Sequence, residues 1–172
     1  MIHVLTICAI AGGCTYIGMR AAARLKWRET IVFAMRSEIR QMMMWMEYSP
    51  KPLVELAAHC KSAQTELFWD QFTDILRTNR CDVPTAWAEA MRHAQTHHTG
   101  FSAMNAGDLK LLQDFAQTLG ASGRDTQRKQ AALFDESFQN AVACAQADYA
   151  QKGKLYRSIG ILCGVAFAIL LW

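Results

Sequence analysis

Apolar positions recur at steps of three and four along most of this chain, and nowhere do they alternate with a period of two, so the pattern predicts helices and no strand. Val32, Met35, Ile39, Met42 and Met46 mark one face of a long helix that runs from an apolar first segment toward Ser49. That methionine-rich stripe is read as packing into the chain's own core, ahead of the competing reading as a deformable partner groove. Pro50 and Pro52 end the helix, and Pro52 suits the first turn of a second, in which Leu53, Leu56, Ala57 and Cys60 share a face. Phe68, Phe72, Ile75 and Leu76 mark a third helix; Val83, Trp87, Ala90, Met91 and Ala94 mark a fourth, entered through Asp82 and Pro84. Asn105 and Asp108 have the spacing of a capping box and open a fifth, with Leu109, Leu112, Ala116 and Leu119 facing the core and Gly120 at its end. Ser122 and Asp125 repeat the cap spacing before a sixth, which keeps Phe134, Phe138, Ala141, Val142, Ala145 and Tyr149 on one side. The expected fold class is all-α, a helical bundle of about six helices whose first and last helices extend into membrane segments.

The charge pattern sharpens that picture. No Lys, Arg, Asp or Glu precedes Arg20 and none follows Arg157. Just inside the uncharged ends lie two basic clusters, Arg20, Arg24, Lys26 and Arg28 at the front and Lys152, Lys154 and Arg157 at the back. Between residues 29 and 148 the other eleven bases face fifteen acids, so a body of −4 lies beside flanks of +7. Basic residues beside a membrane span are retained in the cytoplasm, which predicts membrane segments at 1–19 and 159–172 and a cytoplasmic helical domain at 20–158. The first segment offers eighteen residues from Ile2 to Met19, long enough for a hydrocarbon core of about 30 Å. The last offers fourteen, marginal for a span, with Arg157 able to snorkel back and Trp172 suited to the far interface. Gly160 and Gly164 form G-x-x-x-G, and Ala9 with Gly13 gives a small-x-x-x-small match, so the two segments are expected to pack closely. The clusters suit anionic lipid head groups; an acidic body repels phosphate, so no nucleic acid is expected as a partner.

A leader peptide would carry its positive charge before the apolar run, whereas here the charge follows it, which favours a retained anchor. Ala11-Gly12-Gly13-Cys14 has part of the character of a lipoprotein cleavage box, without the basic leader or the large aliphatic residue three before the cysteine. Cys60, Cys81 and Cys144 read as reduced, small apolar groups in a cytoplasmic body. His93 and His97 stand one turn apart with His98 adjoining, but Ala94 occupies the position where a zinc-protease helix carries its glutamate. Asp70 and Asp74 share a face as a solvated pair, and His59 and Cys60, as helix neighbours, point about 100° apart. Gly120-Ala121-Ser122-Gly123 lacks the spacing of a phosphate loop or a nucleophile elbow. The expectation is no enzyme, no cofactor, no metal and no small-molecule substrate.

Several stretches resemble stage III sporulation protein AB of endospore-forming bacteria: the apolar start followed by Arg20 to Arg28, Pro52-Leu53-Val54-Glu55-Leu56, Phe68-Trp69-Asp70-Gln71-Phe72 and Ala86-Trp87-Ala88-Glu89-Ala90. The most specific piece is the turn that carries Gly120, Ser122, Arg124, Asp125 and Gln127, where Gly123 loosens the family's linker. The resemblance covers nearly the full length. It implies a helical cytoplasmic bundle similar to the inner-membrane platform protein of type II secretion and type IV pilus machines. It further implies a non-enzymatic scaffold in the mother-cell membrane around the forespore, part of a transenvelope channel required for spore development. Its partners would be the lipid bilayer and other proteins of the stage III sporulation operon, including a cytoplasmic secretion-type ATPase, with homo-oligomer formation open. The alternatives are a membrane-anchored thiol- or metal-dependent enzyme and an exported lipoprotein.

Overall fold

Long unbroken helices at both ends follow from the absence of proline anywhere in 1–49 and 85–172. The computed structural model describes residues 2–48, 51–78, 81–119 and 124–170, and within these the side chains outside 2–8, 10, 124–131 and 170. Its helices are α1 (Ile2–Tyr48), α2 (Leu53–His59), α3 (Glu66–Thr78), α4 (Val83–His97), α5 (Thr99–Ser102), α6 (Ala106–Thr118) and α7 (Arg124–Leu170). The described residues are all-helical, as the periodicity predicts, and fall into two compact units. One comprises Met1–Lys26 with Cys144–Trp172, the other Trp27–Ala143.

In the larger unit the methionine stripe is core. Val32, Met35, Ile39 and Met42 of α1 are buried, with Met46 packed at the margin. Around them lies an aromatic cluster with Trp87 at its centre, its ring 4.8 Å from Phe68, 5.3 Å from Phe72, 5.7 Å from Trp69 and 5.8 Å from Phe115, all edge to face. Such geometry sets positive ring edges against negative faces and stabilises each pair by about 0.5–1.5 kcal/mol beyond the area buried. Trp69 and Phe115, which no stripe had marked, are fully part of this core. Two buried acids are satisfied from distant parts of the chain. Glu38 accepts from the Thr65 hydroxyl at 2.6 Å and from the Trp69 indole at 2.7 Å. Asp108 accepts from Arg28 through Nε at 2.7 Å and Nη2 at 3.1 Å.

The caps follow the sequence. Asp82 accepts from the Thr85 amide at 3.3 Å, and hydrogen bonding from Thr85, through its side chain first and its amide second, holds the Asp82 carboxyl below the usual carboxylate range. The Asn105–Asp108 capping box is complete, with Asn105 Oδ1 accepting from the Asp108 amide and Asp108 Oδ2 from the Asn105 amide. Between α4 and α6 the chain forms a further short helix. His98 ends α4 and its Nδ1 accepts from the Gly100 amide, which starts the short α5. A Cβ at Gly100 would lie 2.5 Å from the side chain of Ile31, so only glycine lets α5 approach α1 this closely.

Of the expected membrane segments at 1–19 and 159–172 the described residues show no span: among them, no helix is long and apolar enough to cross a membrane. The physical reason is dilution and length. The fully described run 11–19 contains Gly12, Gly13, Thr15 and Gly18, and the run 159–169 is short and follows Arg157 and Ser158. The apolar side chains at 2–8 and the last residues, 170–172, lie outside those described.

Candidate membrane-anchoring site

The smaller unit is built on close backbone approach. A Cβ added at Gly18 would stand 2.6 Å from the Tyr156 carbonyl oxygen and 3.0 Å from the Gly160 Cα. One at Gly160 would be 3.0 Å from the Cys14 carbonyl, and one at Gly164 would be 3.0 Å from the Ala11 carbonyl. These contacts make α1 and α7 antiparallel neighbours here, with small residues between them. Gly160 and Gly164 thus sit in the seam, but their partners are Ala11, Cys14 and Gly18 instead of Ala9 and Gly13. Gly12 and Gly13 have nothing within 4 Å, and Ala9 is exposed. A small-x-x-x-small pattern recurs on several helix faces; the face used is the one that Gly18 completes.

Large apolar side chains point outward from this unit. Tyr16, Ile17, Met19, Leu155, Ile159, Ile161, Leu162, Val165, Phe167 and Ile169 are exposed, several by more than half, up to 73% at Ile169. Small inside and large apolar outside inverts the arrangement of a water-soluble helix pair.

The basic residues form one level. Positions 18 and 26 of α1 lie beside Gly160 and Tyr149 of α7, so Arg20, Arg24 and Lys26 come to the height of Lys152, Lys154 and Arg157. The Arg20 guanidinium lies 5.6 Å from the Tyr16 ring centre and the Lys26 ammonium 4.9 Å from that of Tyr149, both cation–π contacts. Lys152 pairs with Asp148 at 2.6 Å. Arg28, expected in the front cluster, does not belong to it. It lies in the larger unit, its side chain only 8% exposed, paired with Asp108. The fourth base of a contiguous-looking run had a partner 80 residues away, a relation no local pattern reveals.

Elsewhere the candidate chemistry resolves into structure. The Cys60 thiol is buried beside Glu38 and pushed up to about 12, first by burial and then by the carboxylate, so it is poorly suited to act as a thiolate nucleophile near neutral pH. His93 and His97 stack with ring centres 4.3 Å apart and 26° between planes, and the His97 Nδ1 lies 3.0 Å from the His93 carbonyl oxygen. Among the described residues no three His, Cys, Asp or Glu side chains converge as a metal site. Asp70 holds the exposed Lys61 ammonium at 2.8 Å, and this bond raises the lysine pKa. Of the expected turn, Gly120 and Ser122 lie outside the described residues, as do the side chains of Arg124, Asp125 and Gln127 at the start of α7.

Comparison with curated proteins and with solved structures gives no match. The family model for stage III sporulation protein AB matches residues 3–172, which takes in the glycine seam, the basic level and the whole helical core. The chain belongs to the stage III sporulation protein AB family, and its role lies in stage III of sporulation.

Proposed function

We propose that this protein is a non-enzymatic scaffold in the mother-cell membrane around the forespore, a platform within a transenvelope, secretion-like channel complex. The observation that carries the reading is the inverted polarity of the smaller unit, with glycines and alanines in its seam and bulky aliphatic side chains outside. Hydrocarbon is the solvent that favours such a surface. Segments 1–19 and 159–172 enter the bilayer as an antiparallel pair, and Arg20, Arg24, Lys26, Lys152, Lys154 and Arg157 rest at the cytoplasmic head groups, where positive charge is retained. The helical body then faces the cytoplasm, available to a secretion-type ATPase, to other stage III proteins and to further copies of itself. Against the thiol or metal enzyme stand the raised Cys60 thiol and the stacked histidines.

Sporulation efficiency tests the non-enzymatic part. Alanine at Cys60, Cys81, His93 and His97 together should leave heat-resistant spore counts within a few-fold of the parent, provided helical content is retained. A folded variant that loses spores by orders of magnitude would return the enzyme reading to the front.

A further inference from the structure

A groove of about 440 Å³ runs along one side of the smaller unit, open laterally and lined by residues that include Gly12, Tyr16, Met19, Ile161, Gly164 and Val165. Its lining is almost wholly apolar, and the hydroxyl of Thr15 within it is already committed to the Ala11 carbonyl at 3.0 Å. It therefore offers a polar ligand nothing. Its charge lies at one end. Arg20 stands four residues beyond Tyr16 on α1 and Arg157 four residues before Ile161 on α7, so both continue the groove-lining faces. Because the helices are antiparallel, positions 20 and 157 lie toward the same end of the groove, and Arg20 is held over the ring of the lining residue Tyr16.

We infer that this groove binds one anionic phospholipid, its acyl chain along the Gly12–Gly164 floor and its phosphate between Arg20 and Arg157. Guanidinium groups present a planar fork that matches phosphate oxygens, and two of them toward one end supply the complementary charge. The volume lies at the low end of ligand pockets, which suits an extended chain better than a helix about 10 Å across. The inference rests on the membrane reading above and gives it a specific lipid contact beyond the general pull of basic residues on an anionic surface.

The test reconstitutes the full chain into vesicles of equal phosphatidylglycerol and phosphatidylcholine, then counts retained lipids by native mass spectrometry after mild solubilisation. One phosphatidylglycerol per chain should be retained, favoured over phosphatidylcholine by at least about tenfold. Arg20→Gln with Arg157→Gln should bring that preference close to unity. Gly12→Leu, at a position with open space around its backbone, should fill the groove and expel the lipid while the chain still floats with vesicles. Equal retention of both lipids by the parent, unchanged retention in Gly12→Leu, or a second chain in place of the lipid would overturn the inference. A chain that floats but keeps no lipid overturns the inference alone; a chain that fails to float overturns the membrane reading as well.

Discussion

Arg28→Met is expected to lower the unfolding free energy of the helical body by about 3–5 kcal/mol, because it leaves the buried Asp108 carboxylate without its countercharge. The two side chains are 8% and 5% exposed and joined by two hydrogen bonds, so water screens the pair little and cannot replace the guanidinium once it is gone. Asp108 has a second task, accepting from the Asn105 amide in the cap of α6. Removing the carboxylate outright would lose the cap and the ion pair with Arg28 at the same time. Arg28→Met combined with Asp108→Asn should instead recover more than half of the loss, since asparagine keeps an oxygen for the Asn105 amide and removes the unpaired charge. Thermal unfolding of the full chain in detergent, followed by near-ultraviolet circular dichroism of the tryptophan cluster, reads the effect as a drop of roughly 10–20 °C for the single variant. A shift of only a degree or two would mean that Arg28 is a surface base after all and belongs with the front cluster.

Gly18→Ala should open the seam of the smaller unit. The added carbon would meet the Tyr156 carbonyl oxygen at 2.6 Å and the Gly160 Cα at 3.0 Å, and backbone atoms cannot swing aside as a flexible side-chain tip does. Overpacking of this kind costs about 1–3 kcal/mol, and Gly160→Ala should cost a similar amount because it presses on the same place from the other helix. The two together should cost less than the sum, since once the helices have moved apart the second methyl group meets little. Gly12→Ala and Gly13→Ala serve as controls: nothing lies near either Cβ position, and alanine is the better helix former, so neither should weaken the pair. Titration of the micelle-bound chain with a denaturing detergent ranks the five variants. Equal effects at Gly12 and Gly18 would contradict the seam.

Much of the fold was legible because helix periodicity and caps are local. The stripes on α3, α4 and α6 and the Asn105–Asp108 box needed only neighbours three or four residues away, and each appears where the spacing places it. What escaped was set by distant partners. Glu38 looks like any helix acid until Thr65 and Trp69 close on it, and Trp69 lies one step off the Phe68–Phe72 stripe. The short α5 carries too few residues for a period, and its start depends on a histidine acting as a cap. In the smaller unit the presence of Gly160 and Gly164 was readable, but not the rotation that selects Ala11, Cys14 and Gly18 over Ala9 and Gly13. Arg28 was misplaced for a similar reason: adjacency in sequence put it with three bases, whereas packing put it with Asp108.

The central claim is that segments 1–19 and 159–172 of the smaller unit lie in lipid while the basic level and everything between its two halves stay on the cytoplasmic side, and the native Cys144, exposed on α7 two turns before Lys152, reports on it without any substitution. A membrane-impermeant maleimide is applied to intact protoplasts and, separately, to carbonate-washed membranes, with the modified peptide identified by mass spectrometry. The account predicts that the chain stays with the washed membranes and that Cys144 is labelled there but not in intact protoplasts. Release of the chain by carbonate, or labelling of Cys144 from outside intact protoplasts, would contradict it.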